Sequence, residues 1–126
     1  MDLKGKQAFS PKRLLSSFCF AGNGLKLALL EPNIRVHAAA GILVSAAGFI
    51  FQLTRMEWCI LVLTIAGVIA LEMVNTAIEK TVDLVTEEYR PLAKMAKDLA
   101  AGAVLLFACM AVIIGCILFI PKILTR

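Results

Sequence analysis

The four cysteines, Cys19, Cys59, Cys109 and Cys116, form no C-x-x-C pair. Their spacing argues against a thiolate metal site and against a disulfide framework, and Cys109 and Cys116 read as small buried hydrophobes inside an apolar run. No G-x-x-x-x-G-K-[ST] segment occurs, which excludes an ordinary P-loop cradle; Gly22-Asn23-Gly24 is too short to replace one. Aromatics make up 7% of the chain and do not interleave with its basic residues, so no nucleic-acid partner is expected. The first thirteen residues lack an apolar core, which predicts no cleaved signal peptide. Without internal repeats or a linker-like stretch, residues 1–126 read as a single domain.

What is abundant is apolar sequence. Hydrophobic residues make up 60% and the mean hydropathy is +0.88, too high for an ordinary soluble domain. The pattern predicts an all-α membrane protein with an amino-terminal amphipathic surface helix over about 10–30 and membrane-spanning helices over about 36–53, 58–84 and 91–120. Ser10-Pro11 suits a helix start, Gly22-Asn23-Gly24 a bend, and Glu31-Pro32 a stop. Arg55 and Glu57 read as turn residues, Trp58 as an interfacial anchor, and Pro121 as the end of the last helix. The small run Ala100-Ala101-Gly102-Ala103 would permit close helix approach.

The net charge of +4 is informative by its placement. Six of the thirteen basic residues (Lys4, Lys6, Lys12, Arg13, Lys26, Arg35) precede the first span, and Lys80, Arg90, Lys94 and Lys97 fall between the second and third. Only Arg55 lies between the first and second. The positive-inside rule therefore puts the amino terminus and the second connection in the cytoplasm, beside anionic headgroups.

The second apolar run is interrupted by a row of polar side chains. Residues 58–71 carry no charge; Glu72, Asn75, Glu79 and Asp83 then follow. At about 100° per residue, Glu79 and Asp83 fall within roughly 20° of Glu72, and Asn75 about 60° away. Fourteen residues at about 1.5 Å each put Glu72 roughly 21 Å from the outer interface of a core about 30 Å thick. A carboxylate at that depth is costly and is a functional candidate by default. Desolvated, it suits a general base. Glu31, Glu79, Asp83 and Asp98, nearer water, suit a divalent cation, and Lys94 and Lys97 suit phosphates. A short second connection would place Glu79 level with Lys97 and Asp98. The set fits phosphoryl transfer from a metal-bound nucleotide to an alcohol held in the bilayer. Two other classes compete: a small proton- or cation-coupled transporter with Glu72 as the ion-carrying acid, and a non-catalytic assembly subunit. The first leaves the acid and lysine cluster unexplained, and the outer half of each span offers no charged path. His37 reads as structural.

The run Leu71-Glu72-x-x-Asn75-Thr76-Ala77-Ile78-Glu79-x-x-x-Asp83, then Glu88-Tyr89-x-Pro91-Leu92-Ala93-Lys94-x-Ala96-Lys97-Asp98-x-Ala100-Ala101-Gly102-Ala103-Val104, resembles the small bacterial diacylglycerol kinase and undecaprenol kinase family. The resemblance extends upstream to Glu31-x-Asn33-x-Arg35-x-His37. It implies a lipid kinase of the bacterial inner membrane, a homotrimer of three-span subunits with active sites between subunits. It implies ATP as phosphate donor, Mg²⁺ as cofactor, and undecaprenol or diacylglycerol as the lipid alcohol. By motif position Glu72 would be the catalytic base, with Asn75 orienting it or the substrate. Glu31 and Glu79 would hold Mg²⁺ with the ATP phosphates; Asp83, Lys97 and Asp98 would contact the nucleotide, and so would Arg13. Arg90 stands where many relatives have histidine, and Pro32 where they have a charged residue. The details lean toward the undecaprenol-type branch.

Overall fold

The computed structural model describes residues 9–125. Among them are four helices: α1 (Pro11–Ala28), α2 (Pro32–Ile50), α3 (Arg55–Val85) and α4 (Pro91–Leu124). The chain divides into two compact units, Met1–Glu31 and Pro32–Arg126.

In the first unit, Ser10 takes the extended N-cap conformation and Pro11 the first helical position, but the Ser10 side chain makes no capping bond. Proline already lacks one of the orphan donors and presets φ, so the helix starts there all the same. Ser16 and Ser17 return their hydroxyls to the carbonyls of Lys12 and Arg13 (both 3.0 Å). The helix runs without a break through Gly22-Asn23-Gly24. Leu14, Leu15, Phe18 and Leu25 are exposed on this unit, and no acid interrupts its basic residues.

In the second unit α2, α3 and α4 are each long and apolar enough to cross a membrane. α2 begins at Pro32, a turn before the apolar span expected from residue 36, because Asn33 and Arg35 are tolerated in a first turn at an interface. Pro32 thus starts a helix rather than merely stopping one. α2 closes in a Schellman arrangement, with Leu53 N–H donating to Gly48 O (3.1 Å) and Gln52 N–H to Phe49 O (3.2 Å). Gln52 takes the left-handed position, φ 54°.

Arg55 and Glu57, expected to be turn residues, form the first turn of α3. Thr54 Oγ1 accepts from Glu57 N–H (3.3 Å), and Glu57 Oε2 accepts from Thr54 N–H (2.7 Å): a reciprocal capping box. Glu57 also pairs with Lys122 of α4 at 3.1 Å. At 31 and 34 residues, α3 and α4 are about 46 and 51 Å long, longer than a hydrocarbon core of about 30 Å. Pro121 does not end α4, which continues to Leu124; the Pro121 carbonyl accepts from Thr125 N–H (3.2 Å) and Thr125 Oγ1 (2.9 Å). Proline forfeits one backbone bond and crowds the carbonyl four residues earlier, but the turn that follows it still closes through the Pro121 carbonyl.

Leu53, Leu61 and Leu118 form the buried cluster, flanked by Val44, Trp58, Ile65, Ile114 and Phe119. It lies at the end holding the α2–α3 turn, where Phe49 and Trp58 rings meet at 4.7 Å. Trp58 is therefore a packing residue, lying over Gly48, where an added Cβ would meet its ring at 2.9 Å. Helix approach is closest at Gly67, where a Cβ would overlap the Phe107 ring; at Gly102 a Cβ would meet nothing within 4 Å. The run 100–103 therefore stays open within the chain. Cys109 and Cys116 are exposed on this isolated chain rather than buried.

Candidate functional site

The polar row occupies one stripe of α3, and its members differ steeply in exposure. Glu72 is 4% exposed and Asn75 6%, whereas Glu79 and Asp83 are exposed. The stripe continues from Leu61, Thr64 and Val68, which are also buried, so Glu72 stands where an apolar face turns polar. No hydrogen bond reaches the Glu72 carboxyl among the described residues. It is therefore not a structural acid tied to a neighbouring helix of its own chain.

Asn75 supplies the link to the wet end. Its Nδ2 donates to Glu79 Oε1 at 3.2 Å, while its Oδ1 is buried without a partner. Buried acceptors are ordinarily satisfied, and one left open next to a carboxylate has room in its bonding for a substrate donor, a water or a cation. Among the described residues no group of three or more His, Cys, Asp or Glu could hold a metal ion. One or two carboxylates with neutral oxygens suit a hard cation whose remaining positions are filled by phosphate and water. Glu79 with the open Asn75 oxygen is a donor set of that kind.

At the mouth, Lys97 Nζ bonds Asp83 Oδ1 at 2.5 Å, and Lys94 pairs with Asp98 one turn along α4. The expected register placed Glu79 level with Lys97; the structure pairs Lys97 with Asp83, one turn nearer the connection. Side chains tilt toward the amino end of their own helix. Lys97 thus leans toward the turn and Asp83 away from it, so the two meet. Residues 86–90 join the helices; Thr86 and Arg90 are extended, and Arg90 lies 3.9 Å from Glu88. A cleft of about 380 Å³ opens here, lined by Asp83, Thr86, Tyr89, Arg90, Lys94 and Lys97. Arg13 and Glu31 belong to the other unit: Arg13 is exposed in the first turn of α1, and Glu31 is half-buried before α2.

Two features escaped the sequence reading. Lys94 neutralises Asp98 within α4, which the i,i+4 spacing could have signalled. Glu57 caps α3 and joins it to α4; Thr54-x-x-Glu57 carries the capping-box pattern that signals the first of these roles.

A buried carboxylate and amide that share a helix face of α3 with exposed acids, beside the lysines of α4, suit an integral-membrane phosphotransferase acting on an alcohol. Comparison with known proteins agrees. The family model for prokaryotic diacylglycerol kinase matches residues 19–119. The chain is 50% identical over 111 residues to undecaprenol kinase of Bacillus subtilis (strain 168), covering 87% of this chain and 90% of the relative. It is 44% identical over 114 residues to a diacylglycerol kinase of Synechocystis (89% and 65%), and 30% identical over 107 residues to that of Escherichia coli K12 (84% and 88%). The chain belongs to the prokaryotic diacylglycerol kinase family. It is a multi-pass bacterial membrane lipid kinase, and the transporter reading falls away.

Proposed function

We propose that this kinase transfers the γ-phosphoryl group of ATP to the hydroxyl of a polyprenol, with Glu72 as general base. The observation that carries the reading is the division of one helix face. Glu72 is buried and has no hydrogen-bond partner among the described residues, and Glu79 is exposed about 10 Å further along the axis. The hydroxyl proton passes to the Glu72 carboxylate; the oxygen forms its bond to phosphorus as the bond between that phosphorus and the departing ADP oxygen breaks. A carboxylate without competing donors is open to accept that proton. Asn75 offers its open Oδ1 to the substrate and holds Glu79 with its Nδ2. Glu79 is the carboxylate suited to Mg²⁺, and Glu31 takes the same role by motif. When bound, Mg²⁺ would neutralise charge developing on the transferring phosphate. Asp83, Lys97 and Asp98 contact the nucleotide, with Lys97 turning from Asp83 to a phosphate; Arg13 adds a further cation. The amino terminus faces the cytoplasm of the inner membrane, and the working unit is a homotrimer.

Polyprenol is preferred over diacylglycerol because the relative with 50% identity over 90% of its length is an undecaprenol kinase. The test is a kinase assay of purified protein against undecaprenol and diacylglycerol in the same micelles. Higher kcat/KM for undecaprenol is expected; the reverse order would assign the chain to diacylglycerol.

A further inference from the structure

Above Glu72 on the same stripe of α3, a second cavity lies among α2, α3 and α4, well away from the charged mouth. Its volume is about 350 Å³, and its walls include His37, Gly41, Thr64, Val68, Ala111 and Gly115. It begins at Val68, one turn from Glu72 and on the same face, about 6 Å along the axis. The walls offer little polarity. Thr64 spends its hydroxyl on the Ile60 carbonyl at 2.7 Å, and His37 is the one titratable side chain that lines the space. Room is made by small residues: a Cβ added at Gly115 would meet nothing within 4 Å. Helices in lipid gain by packing closely at small residues, as Gly67 does against Phe107. Gly41 packs likewise against Ile65, where a Cβ would meet Cγ2 at 2.9 Å, so the side that departs from that tendency is the open one at Gly115.

We propose that this cavity takes the hydroxyl-proximal part of a single isoprenoid chain, so that it selects a one-tailed alcohol over a two-tailed one. The inference rests on Glu72 being the base. With the hydroxyl at Glu72, the first isoprene units have the apolar continuation of the same helix face before them, and that face leads into the cavity. Its volume is at the low end for ligand sites, about 300–1,000 Å³. One chain fits between three helices; the two acyl chains of a diacylglycerol diverge from adjacent carbons and do not fit together. Apolar burial of each added methylene lowers the free energy of binding, so KM should fall as the prenol lengthens until the cavity is full.

The experiment measures kcat and KM for geraniol, farnesol, geranylgeraniol and undecaprenol with the wild-type enzyme and with Gly115→Ala, Gly115→Val and Gly115→Leu. Gly115 touches none of the charged residues, and its substituent enters open space, so folding is expected to persist; Gly115→Ala also removes a helix-disfavouring residue. For the wild type, KM should fall from geraniol to geranylgeraniol. Along the Gly115 series this fall should shrink stepwise and vanish for leucine, as KM for the longer prenols rises toward that for geraniol. An undiminished chain-length dependence in Gly115→Leu would overturn the cavity's role and leave the lipid-kinase reading standing. A uniform loss on every prenol, geraniol included, would also overturn it, since filling by a second copy of the chain or simple disruption predicts that result. If the wild type phosphorylates diacylglycerol and no prenol, the tail site falls and Glu72 as base survives. If no alcohol is phosphorylated, both fall.

Discussion

Asn75 is the residue whose environment departs furthest from what stability alone would choose. It is 6% exposed and leaves its carbonyl oxygen without a partner. Such a group costs about 1–3 kcal/mol, and replacing it by an apolar side chain of similar size is nearly neutral or stabilising. Asn75→Leu is therefore expected to hold or raise the thermal midpoint while turnover falls at least about tenfold. A stability loss with normal turnover would show that the amide is structural. Lys97 makes the complementary case. Its pair with Asp83 is substantially exposed, with side chains 38% and 56% accessible, and exposed pairs contribute about 0–1 kcal/mol. Lys97→Met should leave the midpoint nearly unchanged yet raise KM for ATP about tenfold or more, through loss of a charge-assisted phosphate contact; isothermal titration with nucleotide separates binding from chemistry.

At the scale of elements, most of what the structure contains could be read from periodicity and punctuation. Three apolar runs became α2, α3 and α4, and Pro11 and Pro91 each opened a helix. The errors fell where one residue serves two purposes. A charged side chain beside a span looks solvated, yet Glu57 closes a cap and meets Lys122 across 65 residues of chain. The partner in such a pair is set by tertiary packing, and no local pattern reports it. Pro121 looks like a stop in the sequence, yet the last turn of α4 continues past it to Leu124. The Schellman end of α2 carries a specific expectation: Gln52 sits at φ 54°, a region costly for side chains with a Cβ. Gln52→Gly should stabilise the protein by about 0.5–1 kcal/mol, seen as a higher midpoint. At the close contact between α3 and α4, Gly67→Ala would force the Phe107 ring aside and should destabilise by about 1–3 kcal/mol.

The three-span unit presents a buried carboxylate, Glu72, and many exposed apolar side chains. Glu72, Asn75, Glu79 and Asp83 were legible from sequence as one face. Their division into buried and exposed halves also followed, from counting depth along α3. The pairing of Lys97 with Asp83 was not, because it depends on side-chain tilt across an antiparallel contact. The cavity at Gly115 was invisible to periodicity, since an open space depends on three helices at once. Topology is testable with one natural cysteine. Cys19 on α1 is exposed; with the amino terminus in the cytoplasm, a membrane-impermeant maleimide should label it only after permeabilisation. A cysteine placed by Arg55→Cys should react in intact spheroplasts. Reversal of the two labelling patterns would invert the topology and move the site to the outer face.

The most direct test of the mechanism is the turnover of Glu72→Gln, measured on undecaprenol with ATP and Mg²⁺ alongside nucleotide affinity by calorimetry. The amide keeps the shape of the buried side chain and removes its basicity. Turnover should fall about 10²–10⁴-fold, the usual worth of a positioned acid or base, with nucleotide affinity and thermal midpoint essentially retained. Turnover within a few-fold of wild type, with the same affinity, would contradict the assignment of Glu72 as the base that activates the lipid hydroxyl.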